Sequence, residues 1–246
     1  MYNYLEDSRV MLIAHRGFST DFPENTRAAF EPALENNIDM LEIDIHRTKD
    51  NYLVVIHDDT INRTSNGKGK VKDHSLNLLM QFDYGVTKHI KFKGQHMMTL
   101  EEVLVLIKNY PQKLLIEIKQ PHFYPGIGQQ LIDMLKKHDI PEGKVIIQSF
   151  DQQCIRNLYE MGVGFKLGVL ISKKKYWYKM PNFDKIAVYA DYVNPHYSLV
   201  NHKFMTAAHS LELSVMPYTV NEATIANKLI MLGVDGLISD NPIKLI

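Results

Sequence analysis

Short apolar segments recur along the chain, and amphipathic helical stretches separate most of them. Continuous apolar runs of this kind are typical of parallel strands that are buried on both faces. Their alternation with helices predicts an α/β fold built on a parallel sheet. The nine candidate strands are residues 10–14, 40–45, 53–57, 114–118, 145–149, 166–170, 190–194, 214–218 and 236–239.

The second and third candidate strands are joined by only seven residues, HRTKDNY. Because a parallel crossover needs about a dozen residues or more, this pair is predicted to form an antiparallel hairpin that turns near Asp50 and Asn51. Eight candidate strands remain when the return arm of the hairpin is set aside. Eight strands that alternate with helices predict a (β/α)8 TIM barrel.

The starts of three helices can be read from capping residues. Thr99 and Glu102 form a capping-box pattern ahead of an apolar run. Asp151 and Asn221 precede two further helical stretches, and each is predicted to be an N-cap.

Residues 58–98 interrupt the regular alternation. They contain four glycines and many charges, and they show no clear helical face. Long irregular segments within a compact fold are usually functional or mobile. The length of 246 residues is typical of one large α/β domain. We therefore predict a single domain over residues 1–246, with residues 58–98 as a small insertion over the mouth of the barrel.

Composition excludes several classes of function. The formal net charge is zero, from 28 Lys and Arg against 28 Asp and Glu, so no global field attracts nucleic acid or an anionic membrane. A single cysteine, Cys154, permits no intrachain disulfide. Glu6 and Asp7 near the N-terminus argue against a signal peptide, and no apolar run reaches the roughly 20 residues of a membrane span. We expect a soluble, cytoplasmic protein.

Acidic residues follow the apolar parts of two predicted strands. Residues two apart in a strand share a face, so the segment LEIDIH brings Glu42 and Asp44 together. The segment LLIEIK puts Glu117 and Lys119 on one face in the same way. Carboxylates in a dry barrel need compensation from a divalent cation or from cationic side chains, and an exposed strand end with Lys or Arg partners is the alternative. Three converging carboxylates favour Mg²⁺ or Ca²⁺ over zinc.

Two histidines end predicted strands in the same region. His15 and Arg16 follow the first strand, and the hairpin register places His57 opposite residue 43, beside the acidic pair. Imidazole is well suited to transfer protons near neutral pH. Two histidines, a cation site and the anion-binding side chains Arg16 and Lys119 indicate metal-assisted cleavage of a phosphodiester. Which histidine is the acid and which is the base is left open.

The motifs at these positions are similar to those of the glycerophosphodiester phosphodiesterase family. The family has His-Arg-Gly, Pro-Glu-Asn-Thr, Glu-x-Asp, His-Asp, Thr-Leu-Glu-Glu, Glu-x-Lys, Ser-Phe, Thr-Val-Asn and Asp-x-Pro in this order. The matching segments are residues 15–17, 23–26, 42–44, 57–58, 99–102, 117–119, 149–150, 219–221 and 240–242.

The resemblance implies a (β/α)8 barrel that hydrolyses glycerophosphodiesters, such as glycerophosphocholine or glycerophosphoethanolamine, to sn-glycerol 3-phosphate and an alcohol. It also implies one divalent cation, Mg²⁺ or Ca²⁺. By the same resemblance His15 and His57 are the acid–base pair, and a cyclic phosphate intermediate is an analogy with related barrel phospholipases. The other implied site residues are Glu42, Asp44 and Glu117 for the metal, and Arg16 and Lys119 for the phosphate.

One residue departs from the family pattern. Tyr218 stands where the family usually has tryptophan before Thr-Val-Asn. We interpret Tyr218 as a substrate-binding residue whose smaller, hydroxylated ring alters glycerol packing or substrate range.

Two other functions remain open at this level. Tyr176, Trp177 and Tyr178 follow three lysines, 173–175, and such a cluster could serve a lysophospholipase D-like enzyme at a membrane interface. We favour instead a solvated loop with its aromatic side chains packed on the barrel rim, hence no peripheral membrane contact. A non-catalytic phosphodiester sensor is disfavoured by the intact histidines and acidic residues. No oligomeric state is predicted.

Overall fold

Ten strands are present in the computed structural model, which describes residues 9–245. The acidic N-terminal residues that argued against a signal peptide lie outside this range. The strands are β1 (Met11–His15), β2 (Met40–Arg47), β3 (Leu53–Val55), β4 (Met98–Thr99), β5 (Lys113–Ile118), β6 (Val145–Ser149), β7 (Lys166–Ile171), β8 (Tyr192–Pro195), β9 (Ser214–Val215) and β10 (Gly236–Ser239).

Eight of these strands are parallel and follow one another around a barrel in the order β10-β1-β2-β5-β6-β7-β8-β9. Backbone hydrogen bonds also join β9 to β10, the two ends of this order, and so close the barrel. The amide of Asp235 donates to the carbonyl of Val215 over 2.9 Å, and that of Ile238 donates to Pro217 over 3.0 Å. The TIM-barrel prediction is confirmed.

The two faces of the barrel strands differ as their period of two requires. On β2, Leu41, Ile43 and Ile45 belong to the main apolar core between strands and helices. Met40 belongs to a smaller apolar cluster inside the barrel. Glu42 and Asp44 share the face of Met40, so this strand turns two buried carboxylates toward the barrel interior.

Helices connect the barrel strands, and among the described residues none has the length and apolar character needed to cross a membrane. Thr99 forms the predicted capping box with Glu102, and Asp151 caps its helix through two backbone amides. The final repeat ends in a short 3-10 helix, Pro242–Leu245. The α-helices are α1 (Arg27–Leu34), α2 (Leu76–Leu79), α3 (Leu100–Ile107), α4 (Ile127–Lys137), α5 (Gln152–Glu160), α6 (Lys173–Tyr176), α7 (Phe183–Ile186), α8 (His202–His209) and α9 (Ala223–Met231).

The predicted hairpin is present, with β3 antiparallel to β2 and Ile45 opposite Val55. β3 also pairs with β4, a two-residue strand that the sequence pattern did not predict. The chain between β3 and β4 contains α2 and packs around an apolar cluster of its own. That cluster consists of Val54, Ile56, Ile61, Val71, Leu79, Tyr84 and Met97. The assignment of residues 58–98 as an insertion within one domain stays our proposal.

Candidate active site

A polar cavity of about 150 Å³ opens at the carboxyl ends of the barrel strands. In barrels of this type active sites lie at this end, because the loops after the strands converge there. Larger clefts exist elsewhere, such as one of about 320 Å³ beside the starts of α4 and α5, but only the mouth contains a buried acidic cluster among the described residues. The mouth cavity is lined by His15, Arg16, Glu42, His57, Glu117, Lys119, Gln148, Phe150, Leu170, Tyr218, Thr219 and Ile238.

Three carboxylates meet at the floor of this cavity. Glu42, Asp44 and Glu117 each offer an oxygen within 4.8 Å of the others, and their exposed fractions are only 1%, 0% and 6%. The register of β2 and β5 explains the convergence, since Asp44 lies directly beside Glu117 in the parallel ladder. The pairing of the two strands therefore fixes three buried acidic groups side by side.

Two cations partly compensate this charge. Arg16 Nε lies 3.1 Å from Asp44 Oδ2, and Lys119 Nζ lies 2.8 Å from Glu117 Oε1 and 3.5 Å from Asp44 Oδ1. Although burial opposes it, Glu117 and Asp44 raise the pKa of Lys119. Both cations therefore stay charged at the pocket wall.

The compensation is incomplete. Burial and the Asp44 carboxylate raise the pKa of Glu42 well above its usual range, and burial, which Lys119 opposes, raises the pKa of Glu117 to about 7. Asp44 alone has a lowered pKa, since Arg16 and Lys119 overcome the effect of its burial. Its Oδ1 is buried and accepts no hydrogen bond. An oxygen-only cluster with excess negative charge and an unpartnered oxygen fits a hard divalent cation.

Arg16 is held in a left-handed backbone conformation, with φ of 60°. Its amide donates to the backbone carbonyl of Glu42 over 3.0 Å and to the side-chain Oε2 of Glu42 over 3.1 Å. The next residue, Gly17, has φ of 79°, and a Cβ there would lie 2.5 Å from the carbonyl oxygen of Ala29. Glycine is thus required for the turn to approach α1. Asn25 adds a side-chain hydrogen bond of 3.0 Å to Asp44 Oδ2.

The first histidine, His15, ends β1 and is oriented by an aspartate from the other end of the chain. Its Nδ1 lies 2.6 Å from Asp240 Oδ1. Although burial opposes it, hydrogen bonds from His15, Asn221 and Ser19 lower the pKa of Asp240 to about 2. An ionised carboxylate only accepts hydrogen bonds, so Nδ1 carries the proton and Nε2 is left for the cavity.

The second histidine, His57, is oriented by its neighbour in sequence. Its Nδ1 lies 2.7 Å from Asp58 Oδ1. Arg63 also donates to this carboxylate, from Nε over 2.8 Å and from a terminal nitrogen over 3.0 Å. Arg63, and after it His57, lower the pKa of Asp58 to about 2. Burial, together with Lys119 and Arg16, lowers the pKa of His57 itself.

The backbone of His57 is fixed by a third, fully buried histidine. His46 Nε2 donates to the carbonyl of His57 over 3.0 Å, and Nδ1 accepts from the Tyr124 hydroxyl over 2.9 Å. Burial lowers the pKa of His46, so the neutral ring that this arrangement needs is favoured. His46 is a support of the site that the sequence pattern did not reveal.

A chain of ion pairs connects the two sides of the mouth. Arg63 donates two hydrogen bonds to Glu24, of 2.6 and 2.9 Å, and Glu24 accepts one of 2.9 Å from Arg16. Arg63 belongs to the segment 58–98, whereas Arg16 and Glu24 belong to the first βα connection. Asp58, the partner of His57, is thus linked to the guanidinium of Arg16 through Arg63 and Glu24.

Tyr218 lines the cavity through its ring. Its hydroxyl donates to the carbonyl of Ile171 over 3.2 Å, and its ring meets that of Phe150 edge-on at 5.8 Å. Lys119 Nζ lies 5.9 Å from the centre of the Phe150 ring. The hydroxyl of Tyr218 is therefore bound to the backbone, and its aromatic ring forms part of the cavity wall.

Seven of the eight residues that the sequence singled out line the cavity, and Asp44 lies beneath it. The supports that sequence reasoning missed are Glu24, Asn25, His46, Asp58, Arg63 and Asp240. Glu24, Asn25, Asp58 and Asp240 did carry a signal, because they lie in the family-like motifs at residues 23–26, 57–58 and 240–242, but the sequence assigned them no role.

Comparisons with known proteins show which family this chain resembles. The profile of the glycerophosphoryl diester phosphodiesterase family matches residues 15–244. A glycerophosphodiester phosphodiesterase of Caldanaerobacter subterraneus subsp. tengcongensis is 36% identical over 241 residues, which cover 97% of each protein. A glycerophosphodiester phosphodiesterase of Bacillus subtilis is 32% identical over 255 residues, covering 98% of this chain and 86% of the relative. A solved phosphodiesterase of Oleispira antarctica, in complex with the product sn-glycerol-3-phosphate, has a TM-score of 0.87 and 26% identity, covering 96% of this chain and 94% of that one.

Proposed function

The chain belongs to the glycerophosphoryl diester phosphodiesterase family, and we propose that it hydrolyses glycerophosphodiesters to sn-glycerol 3-phosphate and an alcohol in a reaction that depends on a divalent cation. The observation that carries the proposal is the convergence of three buried carboxylates and two aspartate-oriented histidines on one cavity. The product bound by the Oleispira antarctica relative supports the same substrate class.

The phosphate of the diester would contact Arg16 and Lys119. Both cations line the cavity, and their carboxylate partners hold them in place. A divalent cation held by Glu42, Asp44 and Glu117 would supply Lewis-acid chemistry and further charge screening for the phosphate oxygens. The glycerol unit would pack on the aromatic surface of Tyr218.

We assign the roles of the histidines from their partners. His57 is the base, because its lowered pKa keeps it neutral and Arg63 offsets the charge of Asp58. His15 is the acid, because its Nδ1 contacts Asp240, an ionised carboxylate that otherwise accepts hydrogen bonds only from the neutral side chains of Ser19 and Asn221.

In the first step, His57 takes the proton of the adjacent glycerol hydroxyl as its oxygen bonds to phosphorus. The bond from phosphorus to the headgroup oxygen breaks, and His15 gives its proton to the leaving alcohol. In the second step, a water molecule gives a proton to His15 as its oxygen bonds to the phosphorus of the cyclic phosphate. The bond from phosphorus to the glycerol oxygen that closed the ring breaks, and His57 returns its proton to that oxygen. Each histidine therefore ends in its starting state.

The test is an assay of glycerol 3-phosphate release from glycerophosphocholine and glycerophosphoethanolamine. We expect release to stop when the protein is treated with EDTA, and to return with Mg²⁺ or Ca²⁺. Lysophosphatidylcholine is added to the panel of substrates to test whether the protein also cleaves a diester whose glycerol is acylated.

Glu117→Gln is expected to lower kcat by about 100-fold or more, because it removes one charged ligand with little change of shape. The matched control is Glu160→Gln at the exposed end of α5, which should keep full activity. Full activity after chelation would refute the metal requirement. Saturable binding of glycerophosphocholine without product would identify a sensor instead of an enzyme.

A further inference from the structure

The segment 173–179, which we call the lysine–aromatic loop, lies beside the mouth of the barrel. It follows β7, and the carbonyl of Ile171 at the end of that strand accepts hydrogen bonds from the amide of His196 and from the Tyr218 hydroxyl. The sequence predicted aromatic side chains packed on the rim. Tyr176 does pack against the main core, but Trp177 and Tyr178 are 70% and 64% exposed, so the prediction is wrong for these two.

The two exposed rings are held outward by a loop that is fixed at both ends. On one side, Gln152 Nε2 donates to the Tyr176 hydroxyl over 3.2 Å, and on the other side Pro181 and Phe183 are buried. Between these anchors, the rings of Trp177 and Tyr178 meet edge-on, with their centres 5.3 Å apart. A fixed loop therefore presents two large amphipathic rings to solvent.

The same loop concentrates positive charge. It contains four lysines and no acidic residue, although the whole chain has a formal net charge of zero. All four lysines are exposed, and none of them forms an ion pair with another residue in the range 9–245. Lys179 Nζ lies 5.4 Å from the ring centre of Tyr178, so the charges surround the aromatic pair.

We propose that the lysine–aromatic loop binds the surface of an anionic phospholipid bilayer. Trp and Tyr favour the boundary between headgroups and acyl chains, and clustered lysines favour anionic headgroups. A soluble polyanion would satisfy the lysines but would leave the two rings in water, so the combination favours a bilayer. The inference concerns a surface outside the catalytic cavity and does not rest on the proposed function.

Binding at this loop would turn the barrel mouth toward the membrane. A groove of about 620 Å³ extends from Lys119 and Phe150, which also line the catalytic cavity, to Lys175 of the loop. The cavity and the loop therefore open on the same side of the molecule. A protein bound in this way would meet diesters at the surface where membrane lipids are broken down.

The test uses Trp177, the only tryptophan of the chain, as a fluorescent reporter. The full-length protein is titrated with phosphatidylcholine vesicles, with and without about one-third phosphatidylglycerol. We expect a blue shift of the emission and cosedimentation with the anionic vesicles only. Both signals should disappear near 1 M salt, where the Debye length falls to about 3 Å.

The variant Lys173→Glu/Lys174→Glu/Lys179→Glu should weaken vesicle binding about tenfold or more. The matched control is Lys108→Glu/Lys113→Glu/Lys136→Glu, which changes the net charge equally at exposed positions on the opposite end of the barrel. Both variants should keep the circular dichroism spectrum and the melting temperature of the unmodified protein, which shows that they are folded. Absence of vesicle binding, or equal losses in the two variants, would overturn the proposal. A shift with heparin and none with vesicles would assign the loop to a soluble polyanion instead.

Discussion

His15 and His57 line the same cavity, and each donates its Nδ1 proton to an aspartate, yet the two aspartates differ in what else they contact. Asp240 receives neutral hydrogen bonds from Ser19 and Asn221, whereas Asp58 receives two from the cationic Arg63. Asp240 thus directs its negative charge toward His15, whereas Asp58 shares its charge with the guanidinium of Arg63.

Under the roles that we propose, this difference would let one fold obtain an acid and a base from two copies of the same side chain. A carboxylate whose charge is not offset stabilises a protonated imidazole, and one paired with arginine does so less. The two aspartates have the same lowered pKa, about 2, so the contrast lies in their partners and not in their own ionisation.

The largest expected effect comes from removing either ring. His15→Ala and His57→Ala should each lower kcat on glycerophosphocholine by about 10³-fold. With a nitrophenyl diester of glycerol phosphate, whose leaving group needs no proton, His15→Ala should recover most of the loss and His57→Ala should not. Stopped assays of both substrates measure the loss of activity. The control is His202→Ala, at an exposed position at the start of α8. The reverse pattern would exchange the two roles.

The next effect separates the aspartates. Asp240→Asn should lower kcat by about 100-fold and Asp58→Asn by about tenfold, because Arg63 already offsets much of the charge of Asp58. Steady-state kinetics on glycerophosphocholine test the ratio, and retained metal dependence shows that the cavity is intact. Equal losses of kcat in the two variants would mean that Arg63 does not make Asp58 less important than Asp240.

A smaller effect is expected in the pH profile. A base must be unprotonated, so the lowered pKa of His57 keeps the enzyme active below the ordinary histidine value of about 6.5. Arg63→Gln leaves the charge of Asp58 unshared, which raises the pKa of His57 and should move the acid limb of kcat/KM up by about half a unit. Arg27→Gln, an exposed arginine of α1, should leave the limb in place. An unmoved limb in Arg63→Gln would exclude His57 as the base.

The smallest effect concerns stability, where the two sides should be alike. A carboxyl group whose pKa is lowered in the folded state stabilises it above the unfolded value of about 3.9, and this contribution is lost as pH falls toward 2. Asp240→Asn and Asp58→Asn should each reduce the drop in Tm between about pH 4 and pH 2.5 by about 2–4 °C. Thermal melts monitored by circular dichroism test this, with Asp133→Asn as the exposed control. A difference between the two variants would place part of the asymmetry in the aspartates themselves.

The barrel and the hairpin could be predicted because their signals are local. Apolar runs mark the strands, and a seven-residue connection excludes a parallel crossover, which fixes the register that brings His57 to the acidic pair. The two-residue strand β4 could not be predicted, because Met98 and Thr99 are too few to show a pattern and Thr99 was already explained as a helix cap.

Several supports of the site were assigned no role because their partners are distant in sequence. Asp240 lies 225 residues from His15, and Arg63 lies 39 residues from Glu24. Asn221 shows the same limit, since its position predicted a helix cap and this was wrong. Its side chain instead donates to Asp240 and accepts from Ser239, and Glu222 takes the capping position without a side-chain bond.

The contact between Arg63 and Asp58 ties catalysis to the small apolar cluster on which the segment 58–98 packs. That cluster is much smaller than the main core, so the segment has less burial to resist local opening. Opening there would release Asp58 and Glu24 while the barrel stays folded. Heat inactivation should therefore precede loss of the barrel's helices, and backbone amides of this segment should exchange with deuterium before those of β1 and β2.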